Sequence, residues 1–270
     1  MKLKEFSYSD ITLKYVYQLP RVQSKNKKML VVLSNCLDSD GHVDFLLSLS
    51  KFKAVPKLFL AVARDYKFGY YLIKDNTYIL REAVEALIET YRVENEVEKQ
   101  MVYLIGFCAA SYSAVNIAIN QGYNAIFTEY SFEGWRSVRM LFDKDEPRKT
   151  ELFAKQNARL QNEFMDCTFS EWRKSVNKYT GRVDSYKVMP EFFEYVLYNY
   201  SEKFFIPKFY FYAGYNEEYW RLTGKETCLK LREYGINLEL TIDDADFDHT
   251  SAMPFFITYL SGLLERLGVS

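Results

Sequence analysis

Apolar residues along the chain fall into two kinds of run. Continuous short runs occur at 29–33 (MLVVL), 57–63 (KLFLAVA), 102–105 (VYLI), 124–129 (NAIFTE) and 208–213 (KFYFYA). Runs of this length with no polar alternation read as strands buried on both faces of a parallel sheet. Residues 4–19 carry β-branched and aromatic side chains among polar ones, and Pro20 stops the run, so they read as two short strands. Residues 238–242 (LELTI) alternate as an outer strand would. Between the strands, apolar residues recur at helical spacing. Residues 76–91 place Leu80, Ala83, Val84, Leu87, Ile88 and Tyr91 on one stripe. Residues 113–120 and 219–234 read as further helices, and Gly122 suits a helix C-cap. Thr250 or Ser251 can cap a last helix with the stripe Phe256, Tyr259, Leu260, Leu263, Leu264 and Leu267.

Strands alternating with helices over short connections predict an α/β fold. The expected sheet is doubly wound and mostly parallel, with the first two strands as an antiparallel edge. Residues 131–204 depart from this rhythm: they are rich in charge and aromatics, have helical stretches and lack a buried-strand run. They are expected to form a helical insertion, or cap, on a core made of residues 1–130 and 205–270.

Composition narrows the function classes. A formal net charge of −1 over 270 residues gives no electrostatic footprint for nucleic acid or an anionic membrane. No GxGxxG or Walker glycine loop occurs, which argues against a nucleotide-binding protein. The cysteines Cys36, Cys108, Cys167 and Cys228 show neither CxxC spacing nor the density of a disulfide scaffold, and His42 and His249 are the only histidines. Neither a metal nor an organic cofactor is implied. Residues 1–10 (MKLKEFSYSD) lack an apolar signal core and no segment is long enough to span a bilayer, so the expected location is cytoplasmic.

The stretch 101–114 (MVYLIGFCAASYSA) is a buried strand, a turn of small residues and the start of a helix, the pattern of a nucleophile elbow. Gly106 is the first small position, Cys108 the nucleophile and Ala110 the second small position. Cys stands where Ser is usual, and Ala110 replaces the usual second glycine. Taken alone, Cys108 also fits a buried small hydrophobe. Ligands in such sheets sit beyond the strand C-terminal ends. Asn35 and Cys36 follow the 29–33 strand, and Glu217 and Glu218 follow the 208–213 strand and Gly214. His249 follows the 238–242 strand within an acidic loop. A thiol, an acid and an imidazole thus follow separate strands in the order nucleophile, acid, histidine. Each has a structural alternative: acids before a helix favour its N-terminal dipole, and His249 suits a solvated loop. Asp244, Asp246 and Asp248 lack the glycine and terminal Glu of a calcium loop.

In this chain order the sequence resembles the α/β-hydrolase fold superfamily. GFCAA is similar to the GxC turn of dienelactone-hydrolase-type enzymes. RDYKFGYYL at 64–72, together with GFCAASYSA, resembles α/β-hydrolase-like proteins of capsule and surface-glycan biosynthesis. The resemblance implies acyl transfer from an ester, thioester or lactone carbonyl, by hydrolysis or to an acceptor hydroxyl. Cys108 is then the nucleophile, His249 the base, and Glu217 the acid with Glu218 as the alternative. The backbone N–H of Ala109, with one from Asn35, Cys36 or Leu37, forms the oxyanion hole. His42, Tyr70 and Tyr71 are candidate substrate contacts. The expected partner is a small-molecule or glycan acyl substrate. The competing expectation is a catalytically silent relative that binds a glycan or a protein partner.

Overall fold

A computed structural model describes residues 3–22, 27–33, 48–61, 78–107, 109–128, 207–216, 220, 224–233, 235–247 and 251–269. Among the described residues, eight strands form one sheet: β1 (Leu3–Tyr8), β2 (Ile11–Gln18), β3 (Met29–Leu33), β4 (Lys57–Ala61), β5 (Val102–Gly106), β6 (Asn124–Thr128), β7 (Lys208–Gly214) and β8 (Asn237–Asp243). Their spatial order is β1-β2-β4-β3-β5-β6-β7-β8. β2 is antiparallel to both β1 and β4, and every later pairing is parallel. This is the mostly parallel, doubly wound sheet expected from the sequence, with its antiparallel edge. The insertion expected at 131–204 lies outside the described residues.

Strand periodicity divides the core into two layers. Met29, Val31 and Leu33 of β3, Val102 and Leu104 of β5, Ala125 and Phe127 of β6, and Phe209 and Phe211 of β7 share one apolar cluster. The residues between them, Leu30, Val32, Tyr103, Ile105, Ile126, Tyr210 and Tyr212, share the other. The first face is covered by α1 (Ile79–Glu94), α2 (Ala109–Gln121) and α3 (Lys225–Glu233), and the second by α4 (Ala252–Arg266) with Leu49, Phe52 and Val55. Burial on both faces is why the central strands carry continuous apolar runs. β8, at the sheet edge, keeps the alternating, half-exposed pattern read from its sequence.

The stripe expected on α1 is buried along its length, although the helix runs on past Tyr91 to Glu94. Tyr91 also anchors the edge strands: its ring stacks on Tyr17 at 3.9 Å and its hydroxyl lies 2.8 Å from that of Tyr15. Gly122 ends α2 at φ 78°, where its N–H and that of Tyr123 both reach the Ala118 carbonyl, as a glycine C-cap should. On α4 the expected stripe buries Phe256, Leu260, Leu263 and Leu264.

Two lysines are buried where the parallel strands begin. The Lys28 ammonium donates to the Leu267 carbonyl at 2.8 Å and to the Gly268 carbonyl at 3.3 Å, closing the end of α4. The Lys57 amine donates to the carbonyls of Phe52 and Val55, the latter at 3.2 Å. Burial first, and the charge of Arg21 second, lower Lys57 to about 8. Folding therefore favours the neutral amine. Stability from this group is full above the unfolded lysine value of ~10.4 and is lost as pH falls through the folded value. The melting temperature of the wild type should accordingly rise relative to that of Lys57→Met between about pH 8 and pH 10. Thermal unfolding of the two proteins across that range checks this, and a pH-independent difference refutes it.

Candidate active site

All the parallel strands run in one direction, so their C-terminal ends share one rim of the sheet. Across that rim Leu33 pairs with Gly106, Gly106 with Phe127, and Gly214 with Asp243. The chain leaves these strand ends toward each residue singled out in the sequence. Asn35 and Cys36 follow β3, Cys108 follows β5, Glu217 and Glu218 follow β7, and His249 follows β8. These residues, with His42, Tyr70 and Tyr71, lie outside the described residues. The backbone of Ala109 is described and is the first residue of α2.

The turn between β5 and α2 is built by close backbone approach. A β-carbon on Gly106 would stand 2.6 Å from the Ala110 carbonyl oxygen and 2.7 Å from the Ser111 Cα. No side chain fits there, because the obstructing atoms are backbone and cannot move aside. The Ala110 N–H reaches back to the Phe107 carbonyl at 3.2 Å and closes the turn. Phe107 packs into the α4 layer, 5.7 Å from Phe256, whereas Ala110 packs into the opposite layer. Ser111 fastens the turn from inside the protein. Its fully buried hydroxyl sits 3.0 Å from the Gly106 carbonyl, contacts the Thr128 carbonyl, and accepts the Thr128 N–H at 3.3 Å. The start of α2 is thereby tied to the ends of β5 and β6.

The far side of the rim is similarly constrained. The buried Tyr212 hydroxyl donates to one Asp243 carboxylate oxygen at 2.6 Å, and the other accepts the Ala245 N–H at 2.9 Å. Burial, and then the adjacent Asp243 carboxylate, push the Tyr212 phenol well above its ordinary value, so it remains a donor at any physiological pH. Phe247 lies over Gly214, whose β-carbon would fall 2.5 Å from the ring.

No protein-family model matches the chain, and no curated protein matches its sequence. Solved structures do match. The capsule O-acetyltransferase of Neisseria meningitidis serogroup A superposes with a TM-score of 0.65 at 12% identity, covering 97% of this chain and 94% of that one. The S-formylglutathione hydrolase of Staphylococcus aureus gives 0.61 at 13% identity, covering 100% of this chain and 99% of that one. A chain of a glycosylation-associated protein complex from Streptococcus agalactiae gives 0.67 at 10% identity; it covers 98% of this chain, which spans only 46% of that one.

The chain has the α/β-hydrolase fold. The tight turn after β5 joins the end of that strand to the start of α2. Ser111, Tyr212, Asp243 and Phe247 were not singled out as site residues from the sequence. Their importance arises from contacts between distant segments. Among the described residues, no group of His, Cys, Asp and Glu is clustered to hold a metal ion, and no helix is long and apolar enough to cross a membrane.

The close approach at Gly106 gives a direct test. Gly106→Ala should cost about 2–3 kcal/mol or more, because the β-carbon must displace backbone. Gly262→Ala, at a helical glycine with open space around its β-position, should stabilise by up to ~1 kcal/mol. Chemical denaturation of both variants checks the contrast, which reverses if the Gly106 turn is looser than described.

Proposed function

We propose that the chain is an acyl-transfer enzyme that uses Cys108 as nucleophile, His249 as general base and Glu217, or its neighbour Glu218, as the orienting acid. The observation that carries this reading is the Gly106 turn: a strand passing into a helix with no room for a side chain, at the position a nucleophile elbow requires. The separate strand ends from which an acid and a histidine follow, on the same rim, add to it.

In the proposed reaction the imidazole of His249 takes the Cys108 proton, and the thiolate sulfur bonds to the substrate carbonyl carbon. The N–H of Ala109, with one from Asn35, Cys36 or Leu37, stabilises the oxyanion. The imidazolium then protonates the leaving group as its bond to carbon breaks. Water or an acceptor hydroxyl gives its proton to His249, attacks the thioester and releases the thiol. His42, Tyr70 and Tyr71 are proposed to contact substrate, beneath an insertion at 131–204. The structural neighbours include a capsule O-acetyltransferase and a glycosylation-associated protein. They support a glycan hydroxyl as acceptor, as the S-formylglutathione hydrolase supports water, and a cytoplasmic site of action is proposed with either.

Cys108→Ala and His249→Ala should each lower turnover of activated esters or thioesters by about three orders of magnitude or more. During turnover, mass spectrometry should find the acyl group on the Cys108 peptide. Iodoacetamide near neutral pH should block activity while sparing Cys228 in the folded protein, since burial pushes that thiol up to about 12. Full activity in either variant removes the proposal. No adduct from any donor, together with specific retention of a glycan or protein, assigns the chain instead to the silent relatives. That second reading rests on Cys108 standing where Ser is usual and on the β-carbon that Ala110 carries in place of the second glycine.

A further inference from the structure

The loop that leaves β8 toward His249 is pinned more firmly than a surface loop needs to be. Asp243 uses both carboxylate oxygens, one for the Tyr212 hydroxyl and one for the Ala245 N–H, while its own carbonyl accepts the Tyr215 N–H at 2.8 Å. The Phe247 N–H bonds the Ala245 carbonyl at 3.1 Å. The Phe247 ring stacks on Phe255 of α4 at 4.5 Å and lies nearly parallel to Tyr212 at 6.1 Å, in the space that Gly214 leaves open. Asn216, just past β7, reaches Asp246 at 3.5 Å. Exposed acidic loops ordinarily carry few buried contacts and open readily. Here a stretch containing Asp244 and Asp246 is held at both ends by buried aromatic side chains.

We infer that Tyr212, Asp243 and Phe247, with Gly214, form a clasp whose task is to set where the chain enters His249 relative to the end of β7. This rests on the reading of His249 as the base. Tyr212, Asp243 and Phe247 are positioning residues, acting through the backbone they hold. The clasp joins the two strand ends from which the proposed imidazole and its carboxylate partner follow, so one device sets the spacing of both. A small rotation at Asp243 would displace a residue several positions downstream by enough to break a hydrogen bond to the nucleophile. The Tyr212 hydroxyl is suited to the part because it donates one short bond to a charged acceptor.

The test is the pH dependence of iodoacetamide alkylation at the Cys108 peptide, followed by mass spectrometry in the full chain. It needs no knowledge of the substrate. In the wild type, a nearby imidazole should bring the thiolate in well below the ordinary ~8.5 of a free cysteine. Tyr212→Phe keeps the ring stacking and removes only the donor. It should raise that apparent pKa by about one unit and slow alkylation at neutral pH roughly tenfold, with the melting temperature moving little. Asp243→Asn, whose single carbonyl oxygen can serve only one of the two donors fully, should fall between the wild type and Asp243→Ala. It supplies the same readout if Tyr212→Phe does not fold. An early wild-type profile left unchanged by Tyr212→Phe and Asp243→Asn overturns the clasp and leaves the proposed nucleophile and base standing. An ordinary thiol profile in the wild type overturns the pairing of Cys108 with His249, and the clasp's role falls with it.

Discussion

At Gly106 two backbone segments occupy the space where a side chain would otherwise begin. β5 ends with the first turn of α2 pressed against it, and the nearest atoms to the missing β-carbon are the carbonyl of Ala110 and the Cα of Ser111. The contact is possible because β5 is held rigidly on both sides, by β3 and by β6, with its last residue paired to Leu33 and Phe127. Ser111 supplies the complementary restraint from the helix. Its hydroxyl, inaccessible to solvent, bonds backbone of both Gly106 and Thr128. A hydroxyl in the first turn of a helix is commonly a cap for that helix. This one is spent on two strands instead, and so fixes the helix end relative to the sheet.

The same turn carries the chain across the end of the sheet from one layer of the core to the other. Phe107 belongs with Phe256 and Tyr212 on the α4 side, and Ala110 with Leu87 and Val115 on the α1 and α2 side. A chain crossing at this place must be short. The path of the turn is thereby decided by packing on both faces together, and neither layer alone would define it. The Tyr212–Asp243 pair does for the β8 end what Ser111 does for β5: a buried hydroxyl restrains the point where a strand becomes a loop.

Sequence patterning revealed most of this architecture because burial on both faces leaves a strong mark. β3 and β5 are apolar throughout, and α1 and α4 carry their stripes in register with the faces they bury. Boundaries were less legible. α2 begins at Ala109, immediately after the turn, because small residues permit close packing there, whereas the apolar helical signal becomes clear only near Ser113. The tight turn after β5 was legible as a spacing of small residues. Its reason, the absence of room for a β-carbon, was a property of three-dimensional contact. Asp243 read as part of an acidic loop, since nothing local distinguishes a carboxylate held by a tyrosine thirty-one residues earlier from one dissolved in water. The candidate chemical residues were found by chain order and strand ends, and they lie outside the described residues.

The two layers of the core also differ in when they can close during synthesis. α1 and α2 precede or accompany the strands they cover, so one face of β3, β5 and β6 can pack as those strands pair. The other face depends on Phe256, Leu260, Leu263 and Leu264 of α4, which is made after every strand. Until α4 emerges from the ribosome, Tyr103, Ile105, Tyr210 and Tyr212 line an apolar strip that, among the described residues before it, only the segment around Phe52 packs against. Such a nascent chain is a natural client for chaperones. Lys28, reaching from the start of β3 to the end of α4, ties the two together once translation has delivered both.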